Sequence, residues 1–361
     1  MSDLCEIGVE EIVEDQPSAT TSSSSHLPVH DVQTNQQMCS QCKKACTPEP
    51  STSDAGVQAS YGLFHFAHEH IFDKRRFHFC TGLEDYDLFK LIFDWLGETV
   101  NELTYYYGFQ PSLTPEDQFY LTLFKLRSAR SNYDLSGVFK IPEKEVTNIF
   151  VTWINFLYHE STELNMWPSR DLVQFYSPSD FKKKYPSTRV VIDGTEIPLK
   201  RPKQPSLQQA TYSTYKNRNT VKVLIGISPA GLVTYISTAY GGTASDRQIC
   251  ERSELMNMCD PYDSIMSDKG FNVQDLFAPS MVKVNIPEFF RKKNRMSGKS
   301  VLQDRRIARK RVHVERVIGL AKTFKILSLP LDNTLSELAD HIITVAFSLC
   351  NFNCSIVHVD A

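Results

Sequence analysis

The sequence predicts an α/β protein: a mixed sheet with flanking helices, preceded by an all-α segment and a polar, disordered tail. Three observations predict it. Short β-branched apolar runs recur between residues 188 and 286, amphipathic periodicity of 3.6 residues dominates 80–160, and the first 58 residues hold few large apolar groups. The 361 residues are 41% hydrophobic and 11% aromatic, enough for a sizeable core. The net charge is −3, but residues 1–60 carry nine acidic and two basic side chains. That leaves 37 basic and 33 acidic residues, a mildly basic balance, in the remainder. No run of eighteen apolar residues occurs, and the start, MSDLCEIGVEE, is acidic where a signal peptide is basic and then apolar. A soluble, intracellular chain with no membrane association is expected. Nine cysteines, odd in number and scattered, fit reduced thiols rather than a disulfide framework.

In residues 1–58, SATTSSSS and PEPSTS cannot bury enough surface to offset chain ordering. Cys39, Cys42 and Cys46, with His65, His68 and His70 beyond, are of the types that ligate zinc. No second close CxxC or HxxxH pair stands at the usual distance, so isolated thiols are expected.

A helical domain is expected over 80–160. LEDYDLFKLIFDWLGETV places Leu88, Leu91, Ile92, Trp95 and Leu96 on one face. A second helix opens with Thr114 as N-cap, Pro115 at the first helical position and Asp117 at the third, burying Phe119, Leu121, Leu123, Phe124 and Leu126. After the short segment SNYDLSGVF, EKEVTNIFVTWINFLYHE turns Val146, Ile149, Phe150, Trp153 and Leu157 inward. This pair suggests a helix-turn-helix over about 113–158, with Lys144, Glu145, Thr147, Asn148 and Thr152 exposed towards DNA. A helical bundle that touches no DNA satisfies the same pattern. Residues 161–187 read as a connector, with a boundary near 165.

The last domain is expected over 187–353. TRVVIDG is a strand, and TVKVLIGIS with GLVTYIST forms two more around the turn Pro229-Ala230-Gly231. SDRQICERSELMNM is helical, YDSIMSD a fourth strand, VQDLFA a short helix, MVKVNI a fifth strand and 301–323 a long helix. The order βββαβαβα is that of a ribonuclease-H-like fold.

In that fold Asp193 ends the first strand, Asp268 ends the fourth, and Glu315 projects from the last helix towards both. Three converging carboxylates repel unless divalent cations lie between them, and hard oxygen donors select Mg²⁺ or Mn²⁺. Two ions would activate a water or 3′-hydroxyl for phosphodiester displacement. Each acid also has an ordinary structural reading, as a turn residue or a surface ion-pair partner. Glu196 and Asp246 are the alternative acids, and Asp246 alternatively caps the helix after the third strand.

Residues 291–325 carry thirteen basic and two acidic side chains around Glu315. Arg291, Lys292, Lys293, Arg305, Arg306, Arg309, Lys310 and Arg311 are therefore candidate DNA-phosphate contacts, and so are Lys216 and Arg218 in TYSTYKNRNTVK. RKKNR and RRIARKR also resemble nuclear import signals.

VIDGTEI, YSTYKNRNTVKVLIGISPAGLVTYIS, GGTASDRQI, SDKGF and HVERVIG resemble the PIF/Harbinger transposase family, in the branch with a DDE superfamily endonuclease domain. The resemblance covers roughly residues 80–355. It implies a transposase helix-turn-helix before the endonuclease domain, the acidic triad Asp193, Asp268 and Glu315, and cut-and-paste DNA transposition with divalent metal. It further implies transposon ends and target DNA as partners and a Myb-like DNA-binding protein; a homo-oligomer is also expected, and the DNA substrate places the protein in the nucleus, with a cytoplasmic pool left open. The full Cys/His pattern of the THAP-type zinc module carried by some relatives is missing. A host protein that keeps the fold as a non-catalytic nuclear DNA-binding or scaffold protein is the alternative function.

Overall fold

The computed structural model describes residues 73–287, 298–353 and 357. The expected disordered tail, the candidate zinc residues and Arg291 to Lys293 lie outside them. The described chain forms one compact unit.

Its N-terminal part is helical: α1 (Lys74–Thr81), α2 (Tyr86–Trp95), α3 (Pro115–Ser128), α4 (Asn132–Phe139) and α5 (Glu143–Glu163). The caps follow from sequence. The Thr114 hydroxyl accepts from Asp117 N at 3.2 Å with Pro115 at the first helical position, and Ser131 caps α4 at Asp134 N, 3.1 Å. The expected inward residues of α3 and α5 are buried. The α2 face is rotated from expectation, because Phe89, Ile92 and Leu96 are buried while Leu91 and Trp95 are 65% and 49% exposed. Phe89 explains the rotation: its ring stacks on Phe119 at 5.0 Å and meets Phe77 edge-on at 5.6 Å. The segment SNYDLSGVF, read as a connection, is α4, and it ends on Lys140 in a left-handed conformation.

Two short helices, α6 (Arg170–Tyr176) and α7 (Ser179–Lys184), occupy the connector. The strands follow: β1 (Thr188–Pro198), β2 (Tyr212–Ser213, after α8, Pro205–Thr211), β3 (Arg218–Ile227), β4 (Val233–Ile236), β5 (Tyr240–Gly241), β6 (Ser264–Met266) and β7 (Lys283–Asn285). β1 pairs antiparallel with β3 and parallel with β6, and β6 pairs parallel with β7. The free edge of β3 carries β2, β4 and β5, all antiparallel. The β3–β4 turn contains Gly231 at φ 92°, which a side chain rarely adopts. The order β3-β1-β6-β7, antiparallel and then parallel, is consistent with a ribonuclease-H-like sheet.

The sheet is covered on both faces. Val190, Ile192 and Leu224 pack with Ile249, Cys250, Leu255 and Phe277, from α9 (Asp246–Arg252), α10 (Leu255–Met258) and α11 (Gln274–Phe277). On the other face Val191, Ile197, Val223 and Ile225 share a core with α12 (Gly298–Ala321) and α13 (Ala339–Cys350). That alternation along β1 is the two-residue period of a strand buried on both faces. α13, absent from the sequence-based element order, packs on α5, so one apolar core runs from the helical segment into the sheet.

Candidate active site

Asp193, Asp268 and Glu315 come from three elements whose positions are set by the core. Asp193 lies within β1 rather than at its end, since the strand continues for five residues to Pro198. It takes the alternation of Val191 and Ile197, the face covered by α12. Gly194 follows because a Cβ there would stand 2.7 Å from the Asp246 carboxylate. Asp268 follows β6 by two residues, and its carboxylate accepts from Lys269 N at 2.7 Å. Glu315 flanks the buried stripe of α12, in which Ile307, Val314, Val317, Ile318 and Ala321 face the core.

A buried cation joins these acids. Arg311, one turn before Glu315, meets Asp268 at 3.0 Å and Glu315 at 3.2 Å. Burial pushes the half-buried Asp193 carboxyl up to about 6; Arg311 and the Gly194 N–H at 3.0 Å oppose this, while Asp268 and Glu315 add to it. The three acids and one arginine therefore form a single electrostatic cluster. The i, i+4 spacing of Arg311 and Glu315 was the sequence signal for this contact, hidden inside a run read as DNA-facing.

The alternative acids are engaged nearby. Glu196 accepts from the Thr220 hydroxyl at 2.8 Å, and Asp246 pairs with Lys222 at 2.8 Å. Asp246 is the first residue of α9, whereas the cap is Ser245, which accepts from Gln248 N in a reciprocal capping box.

The basic candidates divide. Arg305, Arg306 and Arg309 are exposed on α12, and Lys216 and Arg218 are exposed at the start of β3. Lys310 faces inward instead, 3.2 Å from Asp180 and over the Phe181 ring, and Arg311 is taken by the acids.

The helix-turn-helix also differs from expectation in its faces. Its turn joins α4 to α5, with Asn132 Nδ2 donating to the Thr147 hydroxyl at 2.7 Å. Glu145 is buried and accepts from Ser112 N and Oγ, both at 2.7 Å, and Thr152 is buried too. The Asn148 side chain is spent on both backbone groups of Tyr106, at 3.1 Å each. Of the five residues expected to face DNA, Lys144 remains exposed without such a tie.

Residues 192–351 match the DDE superfamily endonuclease family, and residues 111–163 match the helix-turn-helix of DDE superfamily endonuclease. The two matches support a DDE-superfamily transposase. No curated protein and no solved structure matches the chain.

DDE superfamily endonucleases use divalent metals. The donors here fit in kind: three carboxylates are hard oxygen ligands. They do not fit in arrangement, since among the described residues no group of three or more His, Cys, Asp or Glu is set to hold a metal. Asp268 and Glu315 are instead both paired with the Arg311 guanidinium.

Proposed function

We propose that the protein is a divalent-metal-dependent DNA endonuclease and transposase of PIF/Harbinger type, cutting phosphodiester bonds for cut-and-paste transposition. The observation that carries this reading is the convergence of Asp193, Asp268 and Glu315 from a strand, a strand end and a helix onto one electrostatic cluster. In this reading Asp193, Asp268 and Glu315 would be the residues that hold Mg²⁺ or Mn²⁺, as two ions, in an arrangement other than the one described above. Bound metal supplies activation of a water or 3′-hydroxyl and stabilisation of the leaving oxygen. The chain's own contribution is to fix the three carboxylates on rigid elements and to surround them with cations. Arg305, Arg306 and Arg309 are suited to neutralising phosphates and releasing their counterions.

The DNA partners in this reading are transposon ends and target, in the nucleus. The short free face of α5 favours a separate Myb-like protein for end recognition, since Asn148 and Glu145 are already bonded within the fold. A second reading, a non-catalytic DNA-binding scaffold of the same origin, is favoured by one observation: Arg311 already neutralises two of the three acids.

Supercoiled plasmid incubated with the protein and Mn²⁺, then Mg²⁺, separates the readings. Nicking in the wild type, lost in Asp193→Asn, Asp268→Asn and Glu315→Gln, is the expected result, with losses of at least about a hundredfold. Activity surviving in one variant removes that acid and points to Glu196 or Asp246. Tight plasmid binding without nicking in either metal favours the scaffold.

A further inference from the structure

A basic cleft adjoins the acids. Glu196, Lys216, Arg218, Thr220 and Lys322 line a cleft of about 200 Å³. Its cations come from three places: Lys216 precedes β3, Arg218 opens it, and Lys322 follows the last residue of α12. The helix that carries Glu315 and Arg311 therefore delivers Lys322 to the cleft.

Among the described residues no carboxylate lies within ion-pair distance of Lys216, Arg218 or Lys322. Lys216 sits over the Tyr215 ring, its ammonium 4.7 Å from the ring centroid. The one acid in the lining, Glu196, is held by the Thr220 hydroxyl at 2.8 Å. Lys322 is half-buried, and its ammonium is held below the usual lysine range, chiefly by burial and then by the neighbouring Lys216. Asp193 and Glu196 act in the opposite direction, which ties the cleft electrically to the acid cluster. Three cations crowding one cleft around a single bonded carboxylate repel each other and leave a net positive concavity. Such a concavity is relieved by an anion with several acceptor oxygens, which a phosphodiester supplies.

We propose that the Lys216–Arg218–Lys322 cleft binds a backbone phosphate of the DNA strand led to the carboxylates, with the half-buried Lys322 as its anchor. This rests on the endonuclease reading and adds to it a defined phosphate subsite. The site holds the strand in register by a phosphate, so it is indifferent to base sequence.

Fluorescence anisotropy of a labelled DNA duplex in EDTA, across a salt series, tests the cleft. Lys322→Gln is expected to weaken binding several-fold and to lower the slope of log affinity against log salt by about one; Lys216→Gln with Arg218→Gln lowers it by about two. Lys322→Arg, which keeps the charge, retains binding within about twofold. Acylation of Lys322, followed by mass spectrometry, is expected to be blocked by DNA and not by the same concentration of inorganic phosphate. Wild-type affinity and slope in Lys322→Gln would overturn the cleft and leave the endonuclease reading standing. Equal protection by inorganic phosphate would reduce the cleft to a small-anion site. A wild-type protein that binds no DNA would overturn the cleft, while the plasmid-nicking test judges the endonuclease reading separately.

Discussion

At the scale of single residues, Asp193 concentrates the conflict between stability and function. Its folded-state carboxyl is raised from the ordinary aspartate value to about 6. Sign follows from linkage: the folded protein binds this proton more tightly than the unfolded chain does, so the favourable contribution is complete below about pH 4 and is lost as pH rises through 6. The loss is on the order of 2 kcal/mol after allowing for solvent screening at a partly exposed carboxyl. In EDTA, Asp193→Asn should therefore gain on the wild type between pH 4 and pH 8, by about that amount. Thermal unfolding at the two pH values checks this, and a wild-type-to-variant difference independent of pH would show that the carboxyl is not strained. Arg311 explains why the penalty is not larger, because its guanidinium offsets the charge of the whole cluster.

At the scale of elements, the fold resolves which polar residues serve structure and which face outward. Glu145 sits in the first turn of α5, a position usually read as favourable to the helix dipole, but its carboxylate satisfies Ser112 N and Oγ at the entry to α3. Glu145→Ala should cost about 1–3 kcal/mol by removing the buried carboxylate and its two hydrogen bonds from Ser112, whereas Lys144→Ala, one residue away and exposed, should stay within about 0.5 kcal/mol. Urea midpoints of the two variants measure the contrast, and equal midpoints would mean that water replaces the carboxylate. The same contrast shows what was legible in the sequence. Thr114, Pro115 and Asp117 marked the α3 start, and the apolar spacing of α5 named five of its six buried apolar residues, missing Ile154, because caps and periodicity are local. The five longer strands followed from β-branched runs and turns, whereas the two-residue strands β2 and β5 were missed. Local pattern failed where a distant partner decides: Phe119 and Phe77 turn the α2 face, Tyr106 occupies Asn148, and Asp180 draws Lys310 inward. For the site, the three acids stood out by element order, while Arg311 and Lys322 were submerged in a basic run whose charge density hid their separate contacts.

At the scale of the whole molecule, the helix-turn-helix segment and the sheet share one core, with consequences for how force and unfolding spread. α13 lies against α5 on one side and against β4 and α12 on the other. His341 stacks on Tyr158 at 3.8 Å and its ring nitrogen meets Asn155 at 2.7 Å, while Arg127 at the end of α3 bonds Thr323, just past α12. Such a junction ties the candidate DNA-reading helices rigidly to the helix carrying Glu315. Truncating the fully buried Phe347 of α13 tests it, since Phe347→Ala should remove about 3–5 kcal/mol by leaving a cavity in that shared core. If the core is common, the loss appears equally in two probes, the emission of Trp153 buried in the helical segment and the far-UV signal of the whole chain. Other tryptophans are replaced by phenylalanine at positions 95 and 167 so that Trp153 reports alone. A helical segment that folds independently of the sheet predicts the opposite: the Trp153 transition stays at its wild-type midpoint while the far-UV curve splits in two. The equal shift is expected because the buried cluster is continuous from Phe77 through Trp153 to Phe347, with no apolar gap at which unfolding can stop.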